Sequence, residues 1–281
     1  MPNLEWTETQ RQRLKDLEID PDSIEADFST PDARNQAFQK IEKHQVRSQQ
    51  QKLAALLGER KKTRIQVLRE QLEQTLFDLG FTGVTTPTII SGHALRKMSI
   101  DHAHPLNKQV FWLNDKQCLR PMLAPNLYSL MKDFGRLKHR PIRFFEIGSC
   151  FRKESSGRVH ANEFTMLNLV EMGLPAEERQ ERLEFLAKAV MAAADIPDFD
   201  FETDASEVYG TTLDVVAGPE RTEVSSGAIG PHPLDAEWGI SDTWVGMGFG
   251  LERLLMISRS ENTIGKWARS ISSIDGIRLN I

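Results

Sequence analysis

Three β-rich stretches that follow one another without a helix between them constrain the fold of this chain most. They cover residues 211–216, 222–229 and 243–249. Parallel neighbours in a sheet need a long crossover, usually a helix, whereas antiparallel neighbours can be joined by a short turn. We therefore predict an α+β fold, in which an antiparallel sheet is flanked by helices.

The remaining segments supply further strands and helices for such a fold. β-branched and aromatic residues mark more β-rich stretches, at 84–90, 109–113, 142–151 and 163–172. Apolar residues at three- and four-residue steps predict helices at 31–58, 61–79, 125–137, 176–194 and 250–258. We expect a helical N-terminal extension over residues 1–60 and one catalytic domain over residues 61–281.

Composition excludes several classes of protein. A chain of 281 residues can bury a full core, so no disulfide or structural metal is required. Cys118 and Cys150 form neither a Cys-x-x-Cys pair nor a Cys/His cluster, which argues against disulfide scaffolds and zinc fingers. No apolar run approaches the length of about 18 residues that a membrane span needs. We expect a cytoplasmic protein with no membrane partner.

Charge is distributed unevenly within the net value of −5. Residues 1–33 carry three basic and nine acidic side chains, whereas residues 34–70 carry ten basic and three acidic ones. The basic stretch is either a solvated helix face or a contact for a phosphate backbone. Charge alone does not decide between the two.

The segment WVGMGFGLER, from Trp244 to Arg253, carries glycines at every second position. Because side chains alternate along a strand, Trp244, Gly246, Gly248 and Gly250 should share one face, with Met247 and Phe249 on the other. A bare strand face lets a ligand lie against the backbone, or lets the following helix pack closely. In the first case, Arg253 at the start of that helix would reach the same ligand.

Two further segments place polar groups at strand positions. Arg152 lies at the end of the apolar stretch IRFFEIGSCF, where it could form a surface ion pair or join Arg253 in a triphosphate clamp. In FTMLNLVEM, alternation puts Phe164, Met166, Asn168 and Val170 on one face. Asn168 then either caps a neighbouring backbone group or acts as a hydrogen-bonding reader in the wall of an apolar pocket.

Three motifs, in order along the chain, match the signatures of class II aminoacyl-tRNA synthetases. They are GFTGVTTP ending at Pro87, FRKE at residues 151–154 and GMGFGLER at 246–253. Longer stretches resemble the pyrrolysyl-tRNA synthetase family from about Gly80 onward, including PMLAPNLYSL, FEIGSCFRKE, EFTMLNLVEMG, VYGTTLDV, GPHPLD, TWVG, GFGLERLL and ARSISSIDG. The sequence resembles the short, catalytic-domain-only form, most like the bacterial split type, in which a separate polypeptide binds tRNA.

This resemblance implies a nucleotide site. Arg152 would hold the α-phosphate of ATP and the amino-acid carboxylate, and Arg253 would stack on the adenine and reach the γ-phosphate. Phe164 would stack on the other face of the adenine, with Glu154 and His160 nearby. Glu223 and Ser226 would bind Mg²⁺ on the phosphates. Residues three apart do not share a face of a regular strand, so this last pair requires a bulge or a bridging water.

The resemblance also implies an amino-acid pocket that suits a long lysine-derived side chain ending in a ring. Asn168 would donate to the side-chain amide of that substrate. Departures from relatives at Val170, Ala228 and the tail pair Ser273-Ile274 affect the expected pocket size. The full set implied is Ala124, Leu127, Tyr128, Met131, Asn168, Val170, Tyr209, Ala228, Trp244 and Gly246.

The implied reaction activates pyrrolysine with ATP and transfers it to the 3′ end of its cognate, amber-decoding tRNA. The family forms homodimers through the first motif. The basic stretch then becomes a candidate tRNA contact, represented by Lys61, Lys62 and Arg64. Two alternatives stay open: a synthetase-like paralogue that charges no tRNA, and a class II enzyme for another lysine derivative. Whether a separate tRNA-binding partner protein exists is also left open by the sequence.

Overall fold

The computed structural model describes residues 4–17, 19–20, 22, 24, 27–153, 157–206 and 208–279. Its helices are α1 (Glu8–Asp16), α2 (Pro31–Ala55), α3 (Arg64–Asp78), α4 (Gly92–Lys97), α5 (Pro105–Gln109), α6 (Ala124–Phe134), α7 (Arg179–Ala193), α8 (Asp235–Trp238) and α9 (Leu251–Ser258). Its strands are β1 (Thr82–Gly83), β2 (Ile89–Ser91), β3 (Gln117–Leu119), β4 (Ile142–Phe151), β5 (Glu163–Met172), β6 (Phe199–Ser206), β7 (Gly210–Ala217), β8 (Thr222–Gly230), β9 (Trp244–Gly250), β10 (Ser273–Ile274) and β11 (Ile277–Arg278).

The chain divides into two compact units. One comprises Met1–Thr63 with Ser270–Ile281, and the other comprises Arg64–Arg269. The predicted functional division into residues 1–60 and 61–281 stays a prediction. No helix in the described part of the chain has the length and apolar character needed to cross a membrane.

The first unit is built on two capped helices. Thr7 and Gln10 form a capping box at the start of α1, and the Thr30 side chain accepts a hydrogen bond from the Ala33 N–H at the start of α2. A π-helical turn, Leu56–Arg60, continues α2. Within this unit the Arg60 guanidinium forms an ion pair of 2.7 Å with Asp275, between β10 and β11.

The second unit contains a seven-stranded sheet in the order β1-β4-β5-β9-β8-β7-β6. Only β1 pairs in parallel among these described strands, and all other neighbours are antiparallel. The predicted α+β fold with an antiparallel sheet is therefore confirmed. A separate two-stranded pair joins β2 to β3.

Each face of this sheet carries its own hydrophobic core. Helices α3, α7 and α9 cover one face, with Leu72, Leu186 and Leu254 fully buried there. Helices α4, α6 and α8 cover part of the other face, where Leu95 and Leu127 are buried. The uncovered remainder of this second face is where a site can form.

Several predicted elements differ in detail. Residues 109–113 form no strand: α5 occupies Pro105–Gln109, and Trp112 makes only an isolated bridge to Cys118. Pro105 fixes a helical φ at the first position of α5, and the His104 side chain accepts a hydrogen bond from the Leu106 N–H. The strand predicted at 84–90, around Pro87, is largely absent: β1 ends at Gly83, before this range, and only Ile89 and Ile90 lie in a strand, β2. Strand β6 and helix α1 were not predicted.

Candidate active site

A cavity of about 580 Å³ lies on the second sheet face. Its floor comes from β5, β7, β8 and β9, and α6 forms one wall. The predicted nucleotide and amino-acid residues that line it are Ala124, Leu127, Tyr128, Met131, Arg152, His160, Phe164, Asn168, Val170, Tyr209, Glu223, Ser226, Ala228, Trp244, Gly246 and Arg253. Glu154 lies outside the described residues.

The register of the sheet explains why residues far apart in sequence meet on this floor. Asn168 pairs with Gly248, Gly248 with Ser226, and Ser226 with Asp214. Directly paired residues project from the same face of a sheet. One polar row therefore crosses four strands, and the row Val170–Gly246–Ala228 lies next to it.

The glycines of β9 face this cavity and not the helix that follows. Val245, Met247 and Phe249 pack in the core on the opposite face, together with Leu254 of α9. Gly246, Gly248 and Gly250 line the cavity instead. Close packing of α9 therefore does not account for the glycines, and the predicted alternation along the strand is confirmed.

Aromatic side chains close the apolar end of the cavity. The Tyr128 ring lies 5.7 Å from the Trp244 ring and 5.6 Å from the Trp238 ring. The Trp244 indole N–H donates to the Asp235 carboxylate at 2.8 Å. A side chain at Gly230 would collide with this indole, because a Cβ there would lie 1.8 Å from its nitrogen. Trp244 is thus fixed in one orientation.

Tyr209 is held over the same end by the turn that precedes α8. The His232 Nε2 atom lies 2.8 Å from the Tyr209 carbonyl oxygen, and the two rings are 5.6 Å apart. The Leu234 N–H donates to His232 Nδ1, so Nε2 carries the proton and donates to Tyr209. Burial is the main reason that the pKa values of Tyr128 and Tyr209 are raised, so both hydroxyls stay protonated.

Two arginines form the cationic end. The Arg152 Nε donates to the Pro121 carbonyl at 2.9 Å, and its guanidinium lies 5.3 Å from the centre of the Phe164 ring. Arg253 donates to the Glu223 carbonyl at 2.9 Å, and its Nη2 lies 3.4 Å from His160 Nε2. Both guanidinium groups are therefore oriented by the protein before any ligand binds.

Glu223 and Ser226 come together because β8 contains a bulge. Val215 of β7 pairs with Ser225, whereas Val216 pairs with Glu223, so one extra residue is inserted in β8. This insertion brings Glu223 to the cavity along with Ser226, as the three-residue spacing requires. Burial raises the pKa of Glu223, the nearby Arg253 and Arg152 lower it, and Asp214 and Asp204 raise it.

These side chains fit a nucleoside triphosphate with its cation. Two oriented guanidinium groups match phosphate oxygens, and an aromatic ring offers a stacking surface. Within the described ranges, no group of three or more His, Cys, Asp or Glu side chains is placed to hold a metal. A cation here would need oxygen ligands from the nucleotide, which is the usual situation for Mg²⁺.

A buried polar network that the sequence analysis missed supports Arg152. Arg120 and Glu146 form an ion pair of 2.8 Å, and only 3% and 2% of their side chains are exposed. Arg120 also donates to the Ser149 carbonyl, while Thr86 donates to Glu146. The network fixes the segment Arg120–Pro121, whose Pro121 carbonyl accepts the hydrogen bond from Arg152.

A second missed residue, Glu252, lies in the motif GLER. Both of its carboxylate oxygens accept from the Thr165 N–H at 2.9 Å. Burial raises its pKa, and the hydrogen bonds with Thr165 oppose that shift. Glu252 thus ties α9 to β5 beneath the cavity. The motif match was a signal for this residue, but it did not indicate the partner.

The predicted tRNA residues lie outside the cavity lining. Lys61 and Lys62 are exposed and belong to the first unit. Arg64 belongs to the second unit, where its guanidinium lies 5.6 Å from the centre of the Trp267 ring.

Known proteins resemble this chain in sequence and structure. Residues 50–229 match the family model described as the phenylalanyl tRNA synthetase beta chain CLM domain. An O-phosphoserine–tRNA(Cys) ligase from Methanoculleus marisnigri is 26% identical over 174 residues. That alignment covers 59% of this chain, and the chain spans only 32% of that relative.

Two solved structures match almost the whole chain. A crystal structure of pyrrolysyl-tRNA synthetase from Desulfitobacterium hafniense has a TM-score of 0.87 and 50% identity, with 99% of each chain covered. A second structure of a pyrrolysyl-tRNA synthetase from the same organism has a TM-score of 0.85 and 49% identity, with the same coverage. The chain therefore belongs to the aminoacyl-tRNA synthetases that share this catalytic domain, and among them to the pyrrolysyl-tRNA synthetase family.

Proposed function

We propose that this protein is a pyrrolysine–tRNA ligase that converts ATP to AMP and pyrophosphate. The observation that carries the proposal is the single cavity with two chemically different ends. An apolar slot is closed by Tyr128, Tyr209 and Trp244, and a cationic end carries Arg152 and Arg253. An amino acid with a long apolar side chain and a triphosphate can therefore bind next to each other.

Asn168 lies between the two ends, in the polar row of the floor. Its amide can donate to a carbonyl in the side chain of a lysine derivative. Val170 and Ala228 flank Gly246 in the neighbouring row and leave room for a bulky acyl group. The remaining slot residues, Ala124, Leu127 and Met131, come from α6. One amide within apolar walls suits a substrate whose side chain carries a single buried polar group.

In the first step, the substrate carboxylate attacks the α-phosphorus and pyrophosphate leaves. The carboxylate is already ionised at neutral pH, so no general base is required. Arg152 orients the carboxylate and the α-phosphate, whereas Arg253 and His160 meet the distal phosphates. Phe164 and Arg253 hold the adenine between them. Glu223 and Ser226 would hold Mg²⁺, which when bound neutralises developing charge on the phosphates.

In the second step, a terminal hydroxyl of tRNA attacks the activated carbonyl carbon and AMP leaves. We propose that basic residues of the stretch 34–70 contact the tRNA backbone. Lys40, Lys43 and Arg47 are exposed at three- and four-residue steps on α2, and Lys61 and Lys62 extend this set. A row of cations on one helix face matches a row of phosphates. We also propose that the protein is cytoplasmic and that it forms a homodimer. Sedimentation analysis would test the homodimer.

ATP–pyrophosphate exchange with Mg²⁺ tests the proposed reaction. Pyrrolysine and a bulky Nε-acyl-lysine would be compared with the twenty standard amino acids. Exchange with the lysine derivatives alone is expected. Exchange with a standard amino acid would retain the synthetase chemistry but refute the substrate, and exchange with none would favour a paralogue that does not activate amino acids.

A charge-neutralised triple variant tests the tRNA contact. Replacing Lys61, Lys62 and Arg64 with alanine should weaken tRNA binding and reduce its salt dependence, by about one unit of slope for each phosphate that is no longer bound. Pyrophosphate exchange should stay unchanged, because these residues are outside the cavity lining. A matched control removes three exposed cations elsewhere, at Lys132, Arg136 and Lys138. Equal tRNA affinity in the two triple variants would refute this contact.

A further inference from the structure

Asp214 is a carboxylate in the cavity to which the proposed reaction assigns no role. It lies on β7 directly opposite Ser226 of β8, so the two side chains project from the same face. Leu213 and Val215, on either side of it, pack against the opposite core. Asp214 lines the cavity together with Glu223 and Ser226.

The Asp214 carboxylate has one buried oxygen without a partner among the described residues. Its residue is only 6% exposed, and its Oδ1 atom has no hydrogen-bond partner in the part of the chain that the structure describes. It also forms no salt bridge with a described residue. A buried carboxylate is costly unless a cation or hydrogen-bond donors meet it. The unfavourable desolvation of Asp214 occurs in the cavity, where a bound cation can compensate it.

Glu223 pairs with Val216, two residues along β7 from Asp214, so the two carboxylates project from the same face of the sheet. The bulge in β8 places Glu223 on the same cavity wall as Ser226. The wall therefore offers two carboxylates and one hydroxyl, all of them oxygen donors. Mg²⁺ prefers oxygen ligands in an octahedral arrangement, and proteins usually supply one or two carboxylates beside phosphates and water.

We propose that Asp214 is a third protein ligand, with Glu223 and Ser226, for the Mg²⁺ that binds with the nucleotide. This inference rests on the proposed function, because the phosphates complete the coordination. The Asp214 carboxylate would supply one oxygen ligand to the cation. Asp214 is thus needed for the metal-dependent part of nucleotide affinity.

Calorimetric titration of a non-hydrolysable ATP analogue at increasing Mg²⁺ concentrations tests this role. Asp214→Asn keeps the shape of the side chain and removes its charge. The Mg²⁺ concentration that gives half of the maximal nucleotide affinity should rise by about 10- to 100-fold in this variant. Nucleotide affinity at saturating Mg²⁺ should approach that of the wild type, because the contacts with Arg152 and Arg253 remain.

Asp204→Asn is the matched control. Asp204 also lines the cavity, but it is exposed and its Oδ1 accepts from the Ala205 N–H at 2.7 Å. Loss of an exposed charge should shift the Mg²⁺ midpoint by less than about fivefold. An unshifted midpoint in Asp214→Asn would overturn the proposal, and so would an equal shift in Asp204→Asn.

Thermal unfolding without Mg²⁺ or nucleotide separates ligand binding from a structural role. Removing an uncompensated buried charge should leave the Tm of Asp214→Asn equal to or above that of the wild type. A lower Tm would show a structural role and would also overturn the proposal. If Asp214→Asn does not fold, the same titration would be done with Asp214→Ser. Nucleotide binding by the wild type without any Mg²⁺ dependence, or an unshifted midpoint in Glu223→Gln, would instead refute the metal site of the proposed function.

Discussion

Alanine substitutions along β9 test whether its glycine face exists to admit a ligand. In the protein alone, an added Cβ would lie 3.3 Å from the Trp244 ring at Gly246 and 3.3 Å from the Met166 Cε atom at Gly248. At Gly250 its nearest neighbour would be 3.9 Å away, in the Arg253 side chain. Gly248 and Gly250 can thus accept a methyl group with small shifts of flexible side chains, whereas at Gly246 the fixed Trp244 ring and the Leu169 carbonyl, 3.4 Å away, leave less room.

The stability effect of the substitutions at Gly248 and Gly250 should be favourable. None of the three glycines has a positive φ, so alanine fits the backbone. Replacing a compatible glycine stabilises the folded state by about 0.4–1 kcal/mol, because the unfolded chain loses conformational entropy. For a chain of this size, that gain corresponds to a Tm increase of about 1–4 °C. Gly250→Ala should show the largest increase, since its Cβ has the most space.

Ligand binding should change in the opposite direction. A methyl group inserted into a filled site costs about 1–3 kcal/mol, or about 5- to 150-fold in affinity. Gly246 lies in the row with Val170 and Ala228, so Gly246→Ala should raise the KM for the amino acid. Gly250 lies beside Arg253, so Gly250→Ala should raise the KM for ATP.

Pyrophosphate exchange at varied ATP and varied amino acid separates these two KM values, and thermal unfolding gives the Tm of each variant. The expected pattern is a higher Tm for Gly248→Ala and Gly250→Ala. The KM for the amino acid should rise in Gly246→Ala, and the KM for ATP should rise in Gly250→Ala. Lower Tm values with both KM values unchanged would show that the glycines serve internal packing, and would refute the reasoning.

Three further substitutions test the supporting contacts. Arg120→Met should lower the free energy of unfolding by about 3–5 kcal/mol, because it leaves Glu146 buried without its partner; urea denaturation would show this, and the double variant with Glu146→Leu should recover much of the loss. The pKa of Glu252 is raised in the folded state, so the wild type loses stability as pH rises from 4.5 through that folded pKa. Glu252→Gln does not titrate, so its stability relative to the wild type should increase over the same pH range. A pH-independent difference would contradict this. Phe164→Leu should raise the KM for ATP by about fivefold, through loss of about 1 kcal/mol of ring contact, while an equal rise in the KM for the amino acid would argue against a stacking role.

Strong periodicity made part of the fold predictable. The alternation in β9 identified its two faces correctly, because glycine and large apolar residues differ sharply in what they can pack against. The prediction of a strand at 109–113 was wrong, because aromatic residues favour a strand only when a partner strand is available. Strand β6 was missed because acidic residues at 200, 202 and 204 weaken its β signal, although they suit an exposed sheet edge.

The candidate site was predictable only where motifs marked it. Arg120 and Glu146 are separated by 26 residues, and no local pattern shows that they form a pair. The spacing of Glu223 and Ser226 indicated that either a bulge or a bridging water was needed, and the pairing of Val215 and Val216 shows a bulge. Such contacts depend on strand register, which is a property of the assembled sheet.

The two native cysteines make this protein a convenient host for thiol chemistry. Cys118 and Cys150 are free and fully buried, and burial raises their pKa values to about 11 and about 12. At pH 7, about one Cys118 thiol in 10⁴ is ionised, and fewer at Cys150, so neither reacts readily with maleimides or iodoacetamides. A spectroscopic probe can therefore be attached at a cysteine introduced on the exposed face of α2 while both native thiols remain in place.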